Sequence, residues 1–184
     1  MNIQNTDFPG LFIIEPRVFK DDRGYFYESY NEEKFRKEGL FYNWVQDNQS
    51  SSMYGVIRGL HFQKNPKAQA KLVRVLDGEI LDVAVDIRLG SPTFGKTYTI
   101  QLSSENKKQL LIPEGFAHGF SVLSRSALVL YKCNELYSPD NEGGINCKDP
   151  SFAIDWNIPD EKIIISDKDR QLLFFHDQTL NFRF

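Results

Sequence analysis

Residues 56–63, VIRGLHFQ, set an arginine and a histidine among bulky apolar side chains. Imidazole titrates at about pH 6.5 when unperturbed, so His61 is of a type that can take or give a proton near neutrality. Burying such a group is costly unless a partner or a ligand completes it. His61 therefore reads either as a satisfied core histidine or as the base of an enclosed site. Strict alternation puts Ile57, Gly59, His61 and Gln63 on one face, and Val56, Arg58, Leu60 and Phe62 on the other. Gln63 beside His61 implies a polar lumen. Arg58 can share that lumen only if Gly59 carries a bulge or a sharp twist.

Other segments offer groups of the right type. In LLIPEGFAHGF, residues 110–120, His118 follows a proline–glycine turn. It reads as an exposed turn residue or as an anion contact at a barrel mouth. In residues 127–144 alternation places Ala127, Val129, Tyr131 and Cys133 together, so Tyr131 is a core tyrosine or a phenol facing a pocket. Tyr137 and Glu142 follow in a polar loop, where ligand contacts tend to sit. In IIISDKD, residues 163–169, Ser166 caps a helix with Asp167 and Asp169 in its first turn, which leaves Asp169 able to orient a histidine as well. Arg23 and Glu28 in the front segment, and Gln46 and Asn48 in VQDNQSSS, read equally as surface residues. The three histidines, His61, His118 and His176, contain no His-x-His pair, and Cys133 and Cys147 lack ligand spacing. That argues against a metal centre.

The elements that must carry these groups are short and numerous. Strands are expected at residues 72–76, 97–102, 109–112, 119–123 and 127–133. Asp77-Gly78 is a hairpin signal. Beyond it, residues 79–88 alternate, with Leu81, Val83, Val85 and Ile87 on one face, and 89–92 (LGSP) end the strand. Helices are expected at 31–37, capped by Asn31, and at 167–174. Many short strands with regular turns predict a mainly β double-sheet barrel or jelly roll with a few short helices. The aromatic share of 14%, with 15 Phe and 8 Tyr, points the same way. A chain of 184 residues suits one domain over 1–184. The segment after about 170 (FFHDQTLNFRF) reads as a peripheral extension, apolar enough to dock on something such as a second subunit. Net charge is −3 with no basic stripe, which argues against nucleic acid. No signal sequence or membrane-length apolar run is evident, so a cytoplasmic protein is expected. On the residues alone the reading stops at a β-barrel with a polar pocket.

Taken in order, FKDDRGYFYES, VQDNQSSS, VIRGLHFQ, QAKLVRVLDGEILDVAVDIRLGSPTFGK, LLIPEGFAHGF, VLYKCNELYSP and IIISDKD resemble the dTDP-4-dehydrorhamnose 3,5-epimerase family over most of residues 10–170. The resemblance implies a cupin-type jelly roll (double-stranded β-helix), a homodimer and no metal or organic cofactor. It implies a dTDP-linked 4-keto-6-deoxyhexose as substrate. By resemblance His61 is the general base, Asp169 its orienting partner, Tyr131 the opposing acid and Lys71 the donor to the keto oxygen. Arg23, Glu28, Gln46, Asn48, Arg58, His118, Glu142 and Lys168 fall on positions like the family's substrate contacts, and Tyr137 on the one that stacks on the base. Asn157 after Trp156 departs from the expected proline. The family includes relatives acting at carbon 3 or carbon 5 alone on other nucleotide sugars, and these residues do not separate them. A sugar-nucleotide binder without catalysis and a metal-dependent cupin are the rival readings.

Overall fold

The chain reverses direction every few residues because glycine, proline and polar clusters punctuate its apolar runs. The computed structural model describes residues 1–184. In chain order the elements are β1 (Asn2–Asn5), β2 (Phe12–Glu15), β3 (Val18–Asp21), β4 (Gly24–Tyr27), α1 (Glu32–Lys37), β5 (Gln46–Met53), β6 (Ile57–Gln63) and β7 (Lys71–Asp77). They continue with β8 (Glu79–Asp86), β9 (Thr97–Ser103), β10 (Gln109–Ile112), β11 (Phe116–Val122), β12 (Ser126–Cys133), β13 (Glu142–Gly144) and α2 (Asp167–Arg170). Two antiparallel sheets form, in the orders β1-β2-β10-β7-β12-β5 and β13-β6-β11-β8-β9, while β3 and β4 pair as a separate hairpin. This is the expected jelly roll, mainly β with few helices.

Alternation builds the core between the sheets. Val73, Val75, Leu110, Ile112, Ala127 and Val129 of the six-stranded sheet meet Ile80, Ala84, Leu102, Phe116, Phe120 and Val122 of the five-stranded sheet. Each such side chain, fully buried, contributes about 1.5–3 kcal/mol. The outer face of the five-stranded sheet carries Leu81, Val83, Val85 and Ile87, the row expected from alternation in 79–88. It is not left to water: Trp156, Ile165, Phe175 and Phe182 from the C-terminal segments cover it. The outer face of the other sheet is covered by Phe35 of α1 and Leu40. α1 begins where expected, with the Asn31 side chain accepting the Lys34 N–H.

The structure departs from expectation in five places. Asp77-Gly78 does not close a hairpin. β7 pairs with β10 and β12, and β8 with β11 and β9, so Gly78 turns the chain from one sheet into the other. The local signal is satisfied, with Gly78 at φ +80°, but partner choice follows the apolar faces. A Cβ there would collide with the Ser126 carbonyl. The second helix is one turn, Asp167–Arg170, and keeps its Ser166 cap. The strand expected from 119 starts at Phe116, which puts His118 inside β11 instead of in a turn. The closing segment packs on its own barrel: Phe182 meets the Phe62 ring edge-on at 6.0 Å, and the Asn181 side chain bonds the Asn65 backbone at both its N–H and its carbonyl.

The fifth departure concerns β6. His118 faces His61 and Phe120 faces Arg58 across the β11–β6 pair, so two steps on β11 match three on β6. That extra residue is a bulge, and it shifts the alternation by one. Ile57, Leu60 and Phe62 go to the outer core, while Arg58 and His61 both turn inward. Gly59 makes this fit. Its φ is +115°, and a Cβ there would lie 2.6 Å from the Gly119 Cα and 2.7 Å from the His118 carbonyl. Strict alternation over 57–63 thus fails at the one residue able to break it.

Candidate active site

Polar side chains line part of the space between the sheets. A cavity of about 310 Å³ is bounded by Gln46, Asn48, His61, Phe62, Gln63, Gln69, Lys71, Tyr131, Tyr137 and Glu142. A deeper one of about 230 Å³ shares His61, Lys71 and Tyr131 with it and adds Ser50, Arg58, His118 and Phe120. His61 comes from the five-stranded sheet, and Lys71 and Tyr131 from the six-stranded one. These three sit where the two cavities join, so groups from opposite walls face one space.

His61 Nε2 is 2.7 Å from Asp169 Oδ1. The carboxylate is held by the Ser166-capped turn, by the Gly59 N–H at 3.4 Å to Oδ2, and by the Asp169 N–H bonding Ser166 Oγ at 3.1 Å. The His61 side chain is 38% exposed and that of Asp169 only 7%. Burial pushes the Asp169 pKa up, but the His61 hydrogen bond and charge, the Gly59 N–H and Ser166 outweigh it, and the net shift is downward. The imidazole is therefore open to a ligand on one side and tied to a carboxylate on the other.

Across the cavity, burial raises the Tyr131 phenol above its ordinary value, so it stays protonated. Burial pushes the Lys71 ammonium down, with Cys133 and Asp82 pulling back. Lys71 Nζ donates to the His61 carbonyl at 3.3 Å and stands 5.8 Å from the Tyr131 ring centre. An ammonium that yields its proton more readily makes a strong donor to a developing oxyanion. The trio offers a base, an acid on the facing sheet and a donor between them.

His118 lies neither at a mouth nor on the surface. It is buried, with Nε2 3.0 and 3.1 Å from the two oxygens of Asp82. Burial lowers its pKa, against the pull of Asp82. Arg58 reaches the same deep cavity, and its Nε donates to Ser52 Oγ at 2.9 Å. Gln46, Asn48, Ser50 and Ser52 form one row along β5, each two residues from the next. Glu142 and Lys168 pair at 2.7 Å, and the Tyr137 hydroxyl donates to Glu142 at 3.1 Å. The Lys168 bond holds the Glu142 carboxyl below its usual range. Lys168 lines neither cavity but stands beside one through this pair.

Two expected residues are not brought to the cavity. Arg23, with its side chain 90% exposed, pairs only with Asp21 on the β3–β4 hairpin. Glu28 pairs with Lys34 of α1 at 2.6 Å. In turn, sequence reasoning passed over Asp82, Ser52, Gln69 and the anchoring role of Gln63. Asp82 had a usable signal: an acid inside an apolar run whose strand is buried on both faces needs a partner. No group of three or more His, Cys, Asp or Glu side chains clusters as metal ligands.

The chain is similar to known proteins over most of its length. A dTDP-4-dehydrorhamnose 3,5-epimerase from Shigella flexneri is 53% identical over 92% of this chain and 93% of its own length. The structure of a dTDP-4-dehydrorhamnose 3,5-epimerase from Elizabethkingia anophelis NUHP1 superposes with a TM-score of 0.93 at 51% identity, covering 97% of this chain and 98% of that one. That of a dTDP-6-deoxy-D-glucose-3,5-epimerase from Legionella pneumophila Philadelphia 1, in complex with dTDP-4-keto-L-rhamnose, superposes at 0.95 with 48% identity, over 100% and 98% of the two chains. Residues 5–177 match the family described as dTDP-4-dehydrorhamnose 3,5-epimerase, and the chain belongs to that family.

Proposed function

We propose that this protein inverts carbons 3 and 5 of dTDP-4-dehydro-6-deoxy-D-glucose to give dTDP-4-dehydro-L-rhamnose, with no metal or organic cofactor. One observation carries the reading: an imidazole and a phenol project from opposite sheets into one cavity, with a buried ammonium beside them. His61, oriented by Asp169, removes the proton next to the 4-keto group. The electron pair moves onto the keto oxygen, where Lys71 stabilises the enolate. Tyr131 returns a proton to the other face of the carbon, and the His61 and Tyr131 protons re-equilibrate with solvent. The step repeats at the second carbon. No electrons are gained or lost, so no redox cofactor is required. Gln46, Asn48, Arg58, His118, Tyr137, Glu142 and Lys168 bind the sugar nucleotide, with Tyr137 stacking on the base.

Arg23 and Glu28 take part through a second copy. The β3–β4 hairpin stands outside both sheets and exposes Phe19, Tyr25 and Phe26. A homodimer in which this hairpin reaches the partner's cavity would bury those rings and bring Arg23 to the phosphates, where a guanidinium binds in a bidentate manner. The chain acts as one domain, its end lying over the barrel, and works in the cytoplasm. No helix is long and apolar enough to cross a membrane.

The test is turnover in deuterated water. Label is expected at carbons 3 and 5 of the dTDP-4-keto-6-deoxyhexose. Label at one carbon alone would make the protein a monofunctional epimerase. Tight binding without label would make it a binder, and stoichiometric metal in active protein would revive metal chemistry.

A further inference from the structure

Gln63 ends β6 and is 4% exposed. Its Nε2 donates to the Lys67 carbonyl at 2.7 Å and to the Leu136 carbonyl at 3.2 Å, and its Oε1 accepts the Ser138 N–H at 2.7 Å. Both donors and the acceptor oxygen of this amide are thus spent on backbone. Two of the three bonds fall on the residues immediately before and after Tyr137. The Tyr137 N–H is held by Gln46 Oε1 at 2.9 Å. The ring has one polar side-chain contact, from its hydroxyl to Glu142, and Glu142 is the residue paired with Gln63 across β13 and β6. Residues 134–138 belong to no strand or helix, and the Tyr137 ring is exposed. Ala70 and Gln69 hold the start of this loop at Asn134 and Glu135, and the stretch around Tyr137 is held by Gln63 and Gln46.

We infer that Gln63 is the positioning residue for Tyr137: it fixes the loop so that the ring stands ready as a platform for the base of the sugar nucleotide. The inference rests on the functional reading above, in which Tyr137 stacks on that base. A loop freed of its tethers must be ordered by the ligand, which weakens binding while leaving the reacting groups in place. Gln63 acts through Tyr137 and does not touch the reacting atoms, so its loss should appear in KM more than in kcat.

The experiment is a double-mutant cycle with the dTDP-4-keto-6-deoxyhexose as substrate, measuring kcat and KM for wild type, Gln63→Met, Tyr137→Ala and the pair. Gln63→Met keeps the side-chain length and removes the hydrogen bonds. It should raise KM about tenfold with kcat within about threefold. On the Tyr137→Ala background the same change should add less than about twofold, since residues acting as one unit are not additive. Gln63→Asn, which keeps the amide but falls short, should shift KM in the same direction and serves if the Met variant folds poorly. A KM unchanged in Gln63→Met, a fall in kcat as large as the rise in KM, or a full Gln63 effect persisting without the Tyr137 ring would each overturn the inference. Wild-type protein without turnover would defeat the functional reading and this inference together; an active wild type with an indifferent Gln63 variant would defeat the inference alone.

Discussion

The molecule contains two histidine–carboxylate pairs on neighbouring strands, and they are built for different work. His61 and His118 face each other across the β6–β11 pair. His118 and Asp82 both come from the five-stranded sheet, on the adjacent strands β11 and β8, and both are buried. His61 is half-open to the cavity, and its carboxylate arrives from a separate helical turn more than a hundred residues away in the chain. The first pair is part of the wall. The second is assembled from two elements with one side left for a ligand. A histidine and an acid in contact do not make a proton-transfer site; access to the imidazole does.

Substitutions can break or sharpen this contrast. With His61 as the proposed base, His61→Ala should cut deuterium incorporation and turnover by about 10³-fold or more, since general base catalysis contributes on that scale. An equal loss of exchange in His118→Gln, with binding intact, would erase the distinction between the pairs. Lys71→Met should lower kcat by about 10²–10³, as removal of an oxyanion donor does, measured as initial epimerisation rate. Asp169→Asn should cost about 10²-fold in kcat while KM moves little, because it leaves the proposed base in place but unoriented; Asp82→Asn should cost less.

The smallest effect is a pH dependence of stability at the buried pair. His118 is held below the unperturbed histidine value by burial. Below about pH 6.5 the unfolded chain takes up a proton that the folded chain refuses, so stability rises with pH across the window below 6.5 and falls on acidification. The slope contributed is at most about 1.4 kcal/mol per pH unit. Urea titrations between pH 5 and 7 should show it in wild type and lose it in His118→Gln. A slope unchanged in the variant would remove His118 as its source.

Much of this was legible in the sequence, and the reasons are specific. The rows Leu81–Val83–Val85–Ile87 and Ala127–Val129–Tyr131–Cys133 follow from a period of two, and the structure keeps both. The Asn31 and Ser166 caps follow from local hydrogen bonding, and both hold. What local rules missed depends on distant partners. Nothing near Asp77-Gly78 tells a hairpin from a corner between sheets. Nothing in VIRGLHFQ gives the bulge, which is set by the close approach of Gly59 to Gly119. Asp82 and Gln63 draw their roles from residues 36 and 75 positions away. Asn157 does have a local reason to differ from proline: its φ is +55°, which proline cannot adopt and asparagine tolerates.

The packing of Phe182 on Phe62 bears on the order of events during synthesis. Phe62 borders the cavity, and the aromatic ring behind it is made 120 residues later. A nascent chain will hold His61, Lys71 and Tyr131 well before that support is made, with Asp169 following only shortly ahead of it. Contacts of such long sequence separation form late, so this wall reaches its final shape only after translation has passed Phe182.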